Sequence, residues 1–329
     1  MTVDSARRAV IVGGAGFIGS HLTGHLLGDA DTVAVTVYDN FTSGREWHLE
    51  PFAGDDRLTI VRGEVADLEL LTETMAGHTL VVHLASNPDI AKAMTDPTVD
   101  FHEGTALTHC VIEAARRAEV ELVVYASGSG VYGDLGELAA SEDHGPLEPV
   151  STYGASKLAG EALLAAYAHM FGVRALAFRF ANVVGPHQTH GVGFDFVRRL
   201  LDDPTHLSVL GDGSQSKSYI HVDDVIAGVL TAAERSPAVP FAVYNLATDD
   251  HITVRQIADL AIEVVGLDRS AVTVTYGSGN RGWKGDVPVV RLSTGKIRSL
   301  GWTCRLDTGA ALRASLESML SDARAGRLG

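Results

Sequence analysis

The fold of this protein is indicated by the stretch VGGAGFIGSHL, residues Val12 to Leu22. An apolar run precedes it and a helix-like run follows it, so its glycines lie between a predicted strand and a predicted helix. Gly13 permits a tight turn, Gly16 lets backbone amides approach a pyrophosphate, and Gly19 allows close packing of the helix on the strand. The N-terminus of that helix attracts phosphate through its free N–H groups and its dipole. The stretch therefore predicts the phosphate-binding loop of a dinucleotide-binding fold.

The end of the second predicted strand supports this interpretation. It reads VYDN and places Asp39 about 20 residues beyond the loop. A carboxylate there accepts hydrogen bonds from both hydroxyls of an adenosine ribose and repels a 2′-phosphate. We therefore expect NAD rather than NADP, although Arg45 lies nearby and softens that preference.

Short apolar strands alternate with helices through the first half of the chain. Apolar strands between helices indicate a parallel sheet that is covered on both faces. After Asn182 the alternation loosens, and glycine, proline and histidine cluster in one loop. We predict an α/β fold: a Rossmann-type doubly wound parallel sheet with a smaller, interleaved α/β substrate-binding domain. The first domain is expected at 1–180 with a returning segment at about 217–248, and the second at 181–216 and 249–329.

Composition excludes several classes of partner. Lys and Arg total 26 and Asp and Glu total 41, a net charge of −15, so we expect neither nucleic acid nor a membrane surface as a partner. Cys110 and Cys304 form no motif, which suits a reduced, cytoplasmic compartment. His21 and His25 have a metal-site spacing but lack the accompanying Glu, so no metal is expected.

A second motif, STYGASKLAGEALL, carries Tyr153 and Lys157 on one face of a predicted helix. Tyrosine has a pKa near 10, and a neighbouring ammonium favours the phenolate. A phenolate can take a proton from an alcohol while hydride leaves to an oxidised nicotinamide, whose positive charge acts in the same direction. Such pairs also occur on ordinary helix surfaces. Behind a dinucleotide loop we interpret this one as catalytic.

The ordered motifs of the chain resemble those of the extended short-chain dehydrogenase/reductases, specifically the nucleotide-sugar epimerase and dehydratase branch. They are GGAGFIGSHL, YDN, HLAS, SGSGVYGD, YGASK, RFANVVGP, KSYIHVDDV and RGWKGDV. Within that branch the chain is most similar to UDP-glucose (UDP-galactose) 4-epimerases. The resemblance implies NAD-dependent C4 epimerisation of a UDP-sugar through a 4-keto intermediate. The sugar pair would be glucose and galactose or glucuronate and galacturonate, and the second domain would bind the nucleotide sugar. It also implies a homodimer.

The same resemblance assigns roles to individual residues. Tyr153 would be the base and Lys157 its orienting cation. The cofactor would be held by the glycine loop, the adenosine side, the floor of the site and the nicotinamide side, namely Gly13, Gly16, Phe17, Ile18, Gly19, Asp39, Asn40, Glu64, Val65, Leu84, Ala85, Ser86, Tyr153, Lys157 and Phe180. The substrate would contact Asn182, Lys217, Arg281 and His190.

The sequence departs from the family pattern beside the expected sugar. The family's helper Ser or Thr, three residues before the valine of VYG, is Gly128 here. Ser127 and Ser129 flank it and are the candidates to replace it, although neighbouring strand residues point to opposite faces.

Two further positions bear on the type of reaction. Dehydratases and UDP-glucuronate decarboxylases of this family carry carboxylates directly before VYG, and elimination needs such an acid and base. Ser129 and Gly130 stand there instead, which favours epimerisation over UDP-glucuronate decarboxylation or nucleotide-sugar 4,6-dehydration. A non-catalytic NAD-binding regulator is a further alternative, supported by Gly128 and opposed by the intact Tyr153 and Lys157.

Overall fold

The computed structural model describes residues 6–87 and 90–327. Its strands, in chain order, are β1 Arg7–Val12, β2 Thr32–Asp39, β3 Leu58–Arg62, β4 Leu80–His83, β5 Leu122–Gly128, β6 Arg174–Phe180, β7 Asn182–Val184, β8 His206–Val209, β9 Ser216–Lys217, β10 Tyr219–His221, β11 Phe241–Leu246, β12 Ile252–Thr253 and β13 Thr273–Tyr276.

A seven-stranded sheet in the order β11-β6-β5-β4-β1-β2-β3 forms the centre of the molecule. All of its neighbouring strands pair in parallel. Strand order reverses between β1 and β4, which in such sheets opens a crevice at the carboxyl ends of the strands. The predicted Rossmann-type α/β fold is confirmed.

The helices are α1 Phe17–Leu27, α2 Leu68–Met75, α3 Leu107–Arg117, α4 Thr152–Phe171, α5 Val192–Asp202, α6 Val222–Arg235, α7 Val254–Val265, α8 Gly295–Arg298 and α9 Thr308–Arg324. The longest, α4, begins where the Ser151 hydroxyl accepts a hydrogen bond from the Gly154 N–H at 3.1 Å. It ends at Gly172, whose φ of 78° suits glycine. No helix in the described ranges is long and apolar enough to cross a bilayer.

The two faces of the sheet belong to different apolar clusters, because successive strand residues point in opposite directions. Ala9 and Ile11 pack in the cluster that contains α1 and α6. Val10 and Val12 pack in the cluster that contains α2 and α3. Both faces are thus covered by helices, which explains why the central strands are apolar throughout.

A third cluster joins α5, α7 and α9 to β8 and β10, through residues such as Val197, Ile257 and Leu316. It accompanies three two-stranded sheets, β10-β7, β12-β9 and β13-β8. Between these segments β11 returns to the main sheet beside β6, and α6 packs in the α1 cluster. This arrangement agrees with an interleaved second domain, and its boundaries remain a prediction.

Candidate active site

The glycine loop forms a cradle at the carboxyl end of β1. Gly13 has a φ of 85°, and a Cβ there would lie 2.8 Å from the Ala85 nitrogen. A Cβ on Gly19 would overlap the Gly13 carbonyl oxygen, so the first turn of α1 can pack this closely on the loop only with glycine at position 19. A Cβ on Gly16 would lie 3.3 Å from the Gly13 carbonyl oxygen, which is closer than an ordinary contact but less severe. The loop therefore presents bare backbone to the crevice, which fits the pyrophosphate of a dinucleotide.

Asp39 lies at the carboxyl end of β2 and is 7% exposed. Its two oxygens accept hydrogen bonds from the backbone N–H groups of Ala15, at 2.9 Å, and Phe41, at 2.8 Å. Burial raises the pKa of the carboxyl group, and the two amides partly offset this effect. Each oxygen keeps a second acceptor position. The side chain can therefore hold the glycine loop and a ribose hydroxyl together.

Glu64 and Val65, the residues predicted beside adenine, come just after β3, which is the neighbour of β2 in the sheet. The Asn40 amide donates a hydrogen bond to the Glu64 carboxylate at 2.9 Å, and the Tyr38 hydroxyl donates to the Glu64 carbonyl at 2.8 Å. Val65 is buried in the adjacent apolar cluster. These contacts join the ends of β2 and β3 on the predicted adenosine side of the crevice.

The floor segment follows β4. The N–H groups of Leu84 and Ala85 both donate to the Val12 carbonyl, at 2.8 and 3.0 Å, which ties the floor to the end of β1. The next residue, Ser86, has a buried hydroxyl that forms no hydrogen bond of good geometry in the described part of the chain. Phe180 is buried at the end of β6. The sheet topology therefore brings the predicted floor and nicotinamide-side residues to one edge.

Tyr153 and Lys157 lie in the first turns of α4, facing the end of β5. The Lys157 Nζ donates to the Ala126 carbonyl at 2.9 Å and lies 5.4 Å from the centre of the Tyr153 ring. Lys157 is 4% exposed. Tyr153 keeps some exposed surface as a whole residue, but its hydroxyl group is enclosed by protein atoms. The pair thus joins a buried cation to a phenol at the edge of the crevice.

The protonation of this pair differs from the sequence prediction. Burial, with a smaller contribution from the Asp100 charge, raises the pKa of Tyr153 to about 12, while contact with Ser86 acts in the lowering direction. Burial lowers the pKa of Lys157 to about 8, and Asp100 partly offsets this. Proximity to Lys157 was expected to favour the phenolate, but desolvation of the phenol is the larger effect. Without further positive charge the tyrosine is neutral at pH 7.

The predicted substrate cations already have acidic partners. Lys217 forms an ion pair with Asp286 at 2.6 Å, and Arg281 forms one with Asp134 at 2.5 Å. Arg281 also donates to the Asp286 carbonyl, so Asp286 joins the two cations. Asn182, at the start of β7, donates to the Ser218 carbonyl at 3.3 Å. His190 is exposed, in the loop before α5.

Comparison with known proteins identifies the family of this chain. A family model described as the NAD dependent epimerase/dehydratase family matches residues 9–247. The chain belongs to that family. A UDP-glucose 4-epimerase of Mycolicibacterium smegmatis is 33% identical to it, over 79% of this chain and 83% of the relative.

Solved structures of the family share the whole fold. A UDP-galactose 4-epimerase structure has a TM-score of 0.83 and 35% identity, covering 96% of this chain and 99% of its own. A dTDP-glucose 4,6-dehydratase from Streptomyces venezuelae, with NAD bound, has a TM-score of 0.88 and 28% identity, covering 97% and 98%. The protein is thus an NAD-dependent enzyme of the epimerase/dehydratase family, and both reaction types are among its similar proteins.

Ser127 and Ser129 are the candidates to replace the helper hydroxyl that Gly128 lacks, and their surroundings differ. The Ser127 hydroxyl donates to the buried Glu161 carboxylate at 2.5 Å, and Glu161 forms a two-fold ion pair with Arg179. Because that hydroxyl already donates to Glu161, it is poorly placed to contact a sugar, and the proposed reaction does not use Ser127. Ser129 opens a short 3-10 turn and lines a cleft with Val290 and other residues.

The Gly128 position itself is open. Apart from its chain neighbours Ser127 and Ser129, no described atom lies within 4 Å of where its Cβ would be. No described side chain from another segment therefore fills the volume of the missing one. Ser86 offers a buried hydroxyl close to Tyr153, although the sequence analysis placed Ser86 only in the floor of the cofactor site.

Sequence reasoning missed a polar group behind the pair. Asp100 is 1% exposed and accepts hydrogen bonds from the Asn87 amide at 3.0 Å and the Thr152 hydroxyl at 2.7 Å. Asp100 and Thr152 are 52 positions apart, and no spacing in the sequence links them. Among the described residues, no group of three His, Cys, Asp or Glu side chains could hold a metal ion.

Proposed function

We propose that this protein is an NAD-dependent UDP-sugar 4-epimerase. The observation that carries the proposal is the Tyr153–Lys157 pair at the carboxyl edge of the sheet, with no carboxylate at Ser129 or Gly130. The one carboxylate that acts on the Tyr153 phenol within the described ranges is Asp100, which is buried with both oxygens hydrogen-bonded. It is therefore poorly suited to deliver or take the second proton of an elimination.

In the proposed reaction Tyr153 takes the proton of the sugar C4 hydroxyl and returns a proton to the C4 oxygen at the end. NAD, when bound, supplies the hydride acceptor and donor and a positive charge beside the phenol. Lys157 keeps a buried positive charge one helical turn away, and its hydrogen bond to the Ala126 carbonyl fixes it against β5. The oxidised sugar would turn over within the pocket before Tyr153 returns the proton, so epimerisation would consume no cofactor.

We further propose that Ser86 supplies the hydroxyl that Gly128 lacks. Its oxygen is buried, forms no hydrogen bond of good geometry among the described residues, and lies close enough to the Tyr153 hydroxyl to lower the pKa of the phenol. A buried hydroxyl whose hydrogen bonds are incomplete is costly unless a ligand completes them. The C4 oxygen of a sugar is such a ligand. The expected effect of Ser86→Ala is a loss of about 10- to 100-fold in kcat with KM within about threefold.

The nucleotide would be held by Asn182, Lys217 and Arg281. A phosphate can share Lys217 with Asp286, because an ammonium has three donors. We also propose a homodimer through α3 and α4, where Met170 is 72% and Phe171 is 49% exposed. Sedimentation velocity of the purified protein tests that assembly, and a monomer at micromolar concentration would contradict it.

The reaction is tested by incubating the protein separately with UDP-glucose, UDP-glucuronate and dTDP-glucose and resolving the products by NMR. A C4 epimer of a UDP-sugar is the expected product, and Tyr153→Phe should lower its rate at least about 100-fold. A 4-keto-6-deoxy sugar would identify a dehydratase, and a pentose with carbon dioxide a decarboxylase. If absorbance near 340 nm stays flat and no product forms with any sugar, a non-catalytic NAD-binding regulator becomes the better description.

A further inference from the structure

A buried carboxylate stands behind the proposed catalytic pair. Asp100 immediately precedes a π-helical turn, Phe101–Ala106, which leads into α3. One of its oxygens accepts from Asn87, in the floor segment, and the other accepts from Thr152, the first residue of α4. The carboxylate therefore joins the floor of the site to the helical turn that carries Tyr153.

This charge has no cation in direct contact. No Lys, Arg or His nitrogen within the described part of the chain lies within 4.0 Å of the Asp100 carboxylate. A buried carboxylate without a cationic partner is unfavourable for folding, even with two hydrogen bonds. An Asn in its place could accept from Asn87 through its oxygen and donate to the Thr152 hydroxyl through its nitrogen, so both contacts can form without a charge. The charge itself therefore requires an explanation.

The surroundings of Lys157 supply one. Its ammonium faces Tyr153 on its own helix, at 5.4 Å from the ring centre, and Tyr125 on β5, at 5.3 Å. His83 on β4 also faces it, and burial keeps that imidazole neutral by lowering its pKa to about 3. Of the described groups that act on Lys157, Asp100 alone carries a negative charge.

We propose that Asp100 is a positioning residue of the catalytic pair: its carboxylate fixes the first turn of α4 and keeps the buried Lys157 in its ammonium form at neutral pH. The inference rests on the proposed role of Lys157, but not on which sugar reacts. Removing the charge allows desolvation to deprotonate Lys157 and makes the Tyr153 phenol easier to ionise. Both limbs of the pH profile then move toward acid.

The direct test is a titration of Lys157 by NMR, which needs no substrate. The chain has only five lysines, so 13Cε-lysine labelling gives few signals, and Lys157→Met assigns the one of interest. With burial lowering its pKa to about 8, wild-type Lys157 should titrate near pH 8. In Asp100→Asn the midpoint should fall by about one pH unit.

Thr152→Val is the matched control, because it removes one hydrogen bond and keeps the charge. Its Lys157 midpoint should stay within about 0.3 units of wild type. An unchanged midpoint in Asp100→Asn overturns the inference, and so does an equal fall in Thr152→Val. If Asp100→Asn does not fold, Asp100→Ser is a smaller neutral variant that retains a hydroxyl, and the same outcomes apply.

Where a sugar substrate is found, the pH profile of kcat gives a second readout. The optimum should move toward acid in Asp100→Asn and return toward wild type in Asp100→Glu. A kcat that falls equally at every pH would indicate a purely structural residue and overturn the inference. Absence of turnover with every sugar contradicts the proposed function, while the NMR titration still decides the role of Asp100.

Discussion

The glycine cradle on the cofactor side and the proposed phosphate contacts on the substrate side are built by different means. On the cofactor side, the cradle consists of backbone around Gly13, Gly16 and Gly19, and no cation is needed. On the proposed substrate side, the phosphate contacts are the side chains of Lys217 and Arg281, and both are already paired with acids. The first site depends on backbone conformation. The second depends on cationic side chains that would have to share a phosphate with their present acidic partners. Substitutions should therefore affect the two sites in different ways.

The largest expected effect comes from adding one carbon to the backbone cradle. Gly13→Ala forces a φ of 85° on a side chain that would also meet the Ala85 nitrogen. NAD affinity should fall at least about 100-fold, measured by fluorescence titration. Gly54→Ala is the control, since no described atom lies near its Cβ. Wild-type NAD affinity in Gly13→Ala would contradict the idea of a rigid cradle.

The next effect concerns His48, which is hydrogen-bonded to the backbone of the glycine loop. The His48 Nδ1–H donates to the Ala15 carbonyl at 2.8 Å, and its Nε2 is buried without a partner in the described residues. Burial lowers the pKa of His48 to about 4, so the unfolded chain binds a proton between pH 6.5 and 4 that the folded chain refuses. The free energy of unfolding should therefore fall as the pH falls, by about 2 kcal/mol from this residue at pH 5.

Urea unfolding at pH 7 and pH 5 checks this stability effect. His48→Asn keeps a donor near the Ala15 carbonyl without titrating, so its loss of stability between the two pH values should be smaller than that of wild type. His169→Gln, at an exposed histidine of α4, should show the wild-type loss. Equal losses in all three proteins would show that His48 does not report on the cradle.

A smaller effect is expected from the side-chain site. Lys217→Met removes one charge-assisted contact to the nucleotide and should raise KM about tenfold with kcat within about twofold. Lys284→Met, at an exposed lysine in the nearby loop, is the control and should leave KM unchanged. A fall in kcat without a change in KM would mean that Lys217 serves the reaction rather than binding.

The smallest effect is the one that compares the two sites most directly. Between about 50 and 500 mM NaCl, the Kd for UDP-sugar should rise about fivefold, because salt screens a partly exposed ammonium. The Kd for NAD should change less than about twofold, since its pyrophosphate contacts neutral amides. Isothermal titration calorimetry gives both values in one buffer series. Equal salt dependence would remove the distinction between the two sites.

Sequence patterns predicted the features that local backbone geometry controls. Three such patterns are the glycine spacing, the acid after the second strand and the alternation of apolar strands with helices. Each depends on backbone geometry or packing within a short segment, so the sheet and its glycine cradle could be predicted from them. The Tyr153–Lys157 spacing likewise needed only one helix. These features are local, so one sequence is enough to recognise them.

Long-range side-chain contacts could not be predicted in the same way. The Asp100–Thr152 contact, the Ser127–Glu161–Arg179 chain and the Lys217–Asp286 pair join distant segments with no shared spacing. The direction of the Tyr153 pKa shift was missed for a related reason. It depends on how deeply the phenol is desolvated, and burial becomes known only once the fold is assembled.

The return of β11 to the sheet has a consequence for how the protein is made. Strand β11 pairs with β6 from Phe241 and Ala175 to Leu246 and Phe180, so the outermost strand of the cofactor-binding sheet is synthesised well after the rest. Until Leu246 has emerged from the ribosome, β6 has one unpaired edge, to which another chain can add. The nascent first half thus remains vulnerable to aggregation until about three quarters of the protein exists.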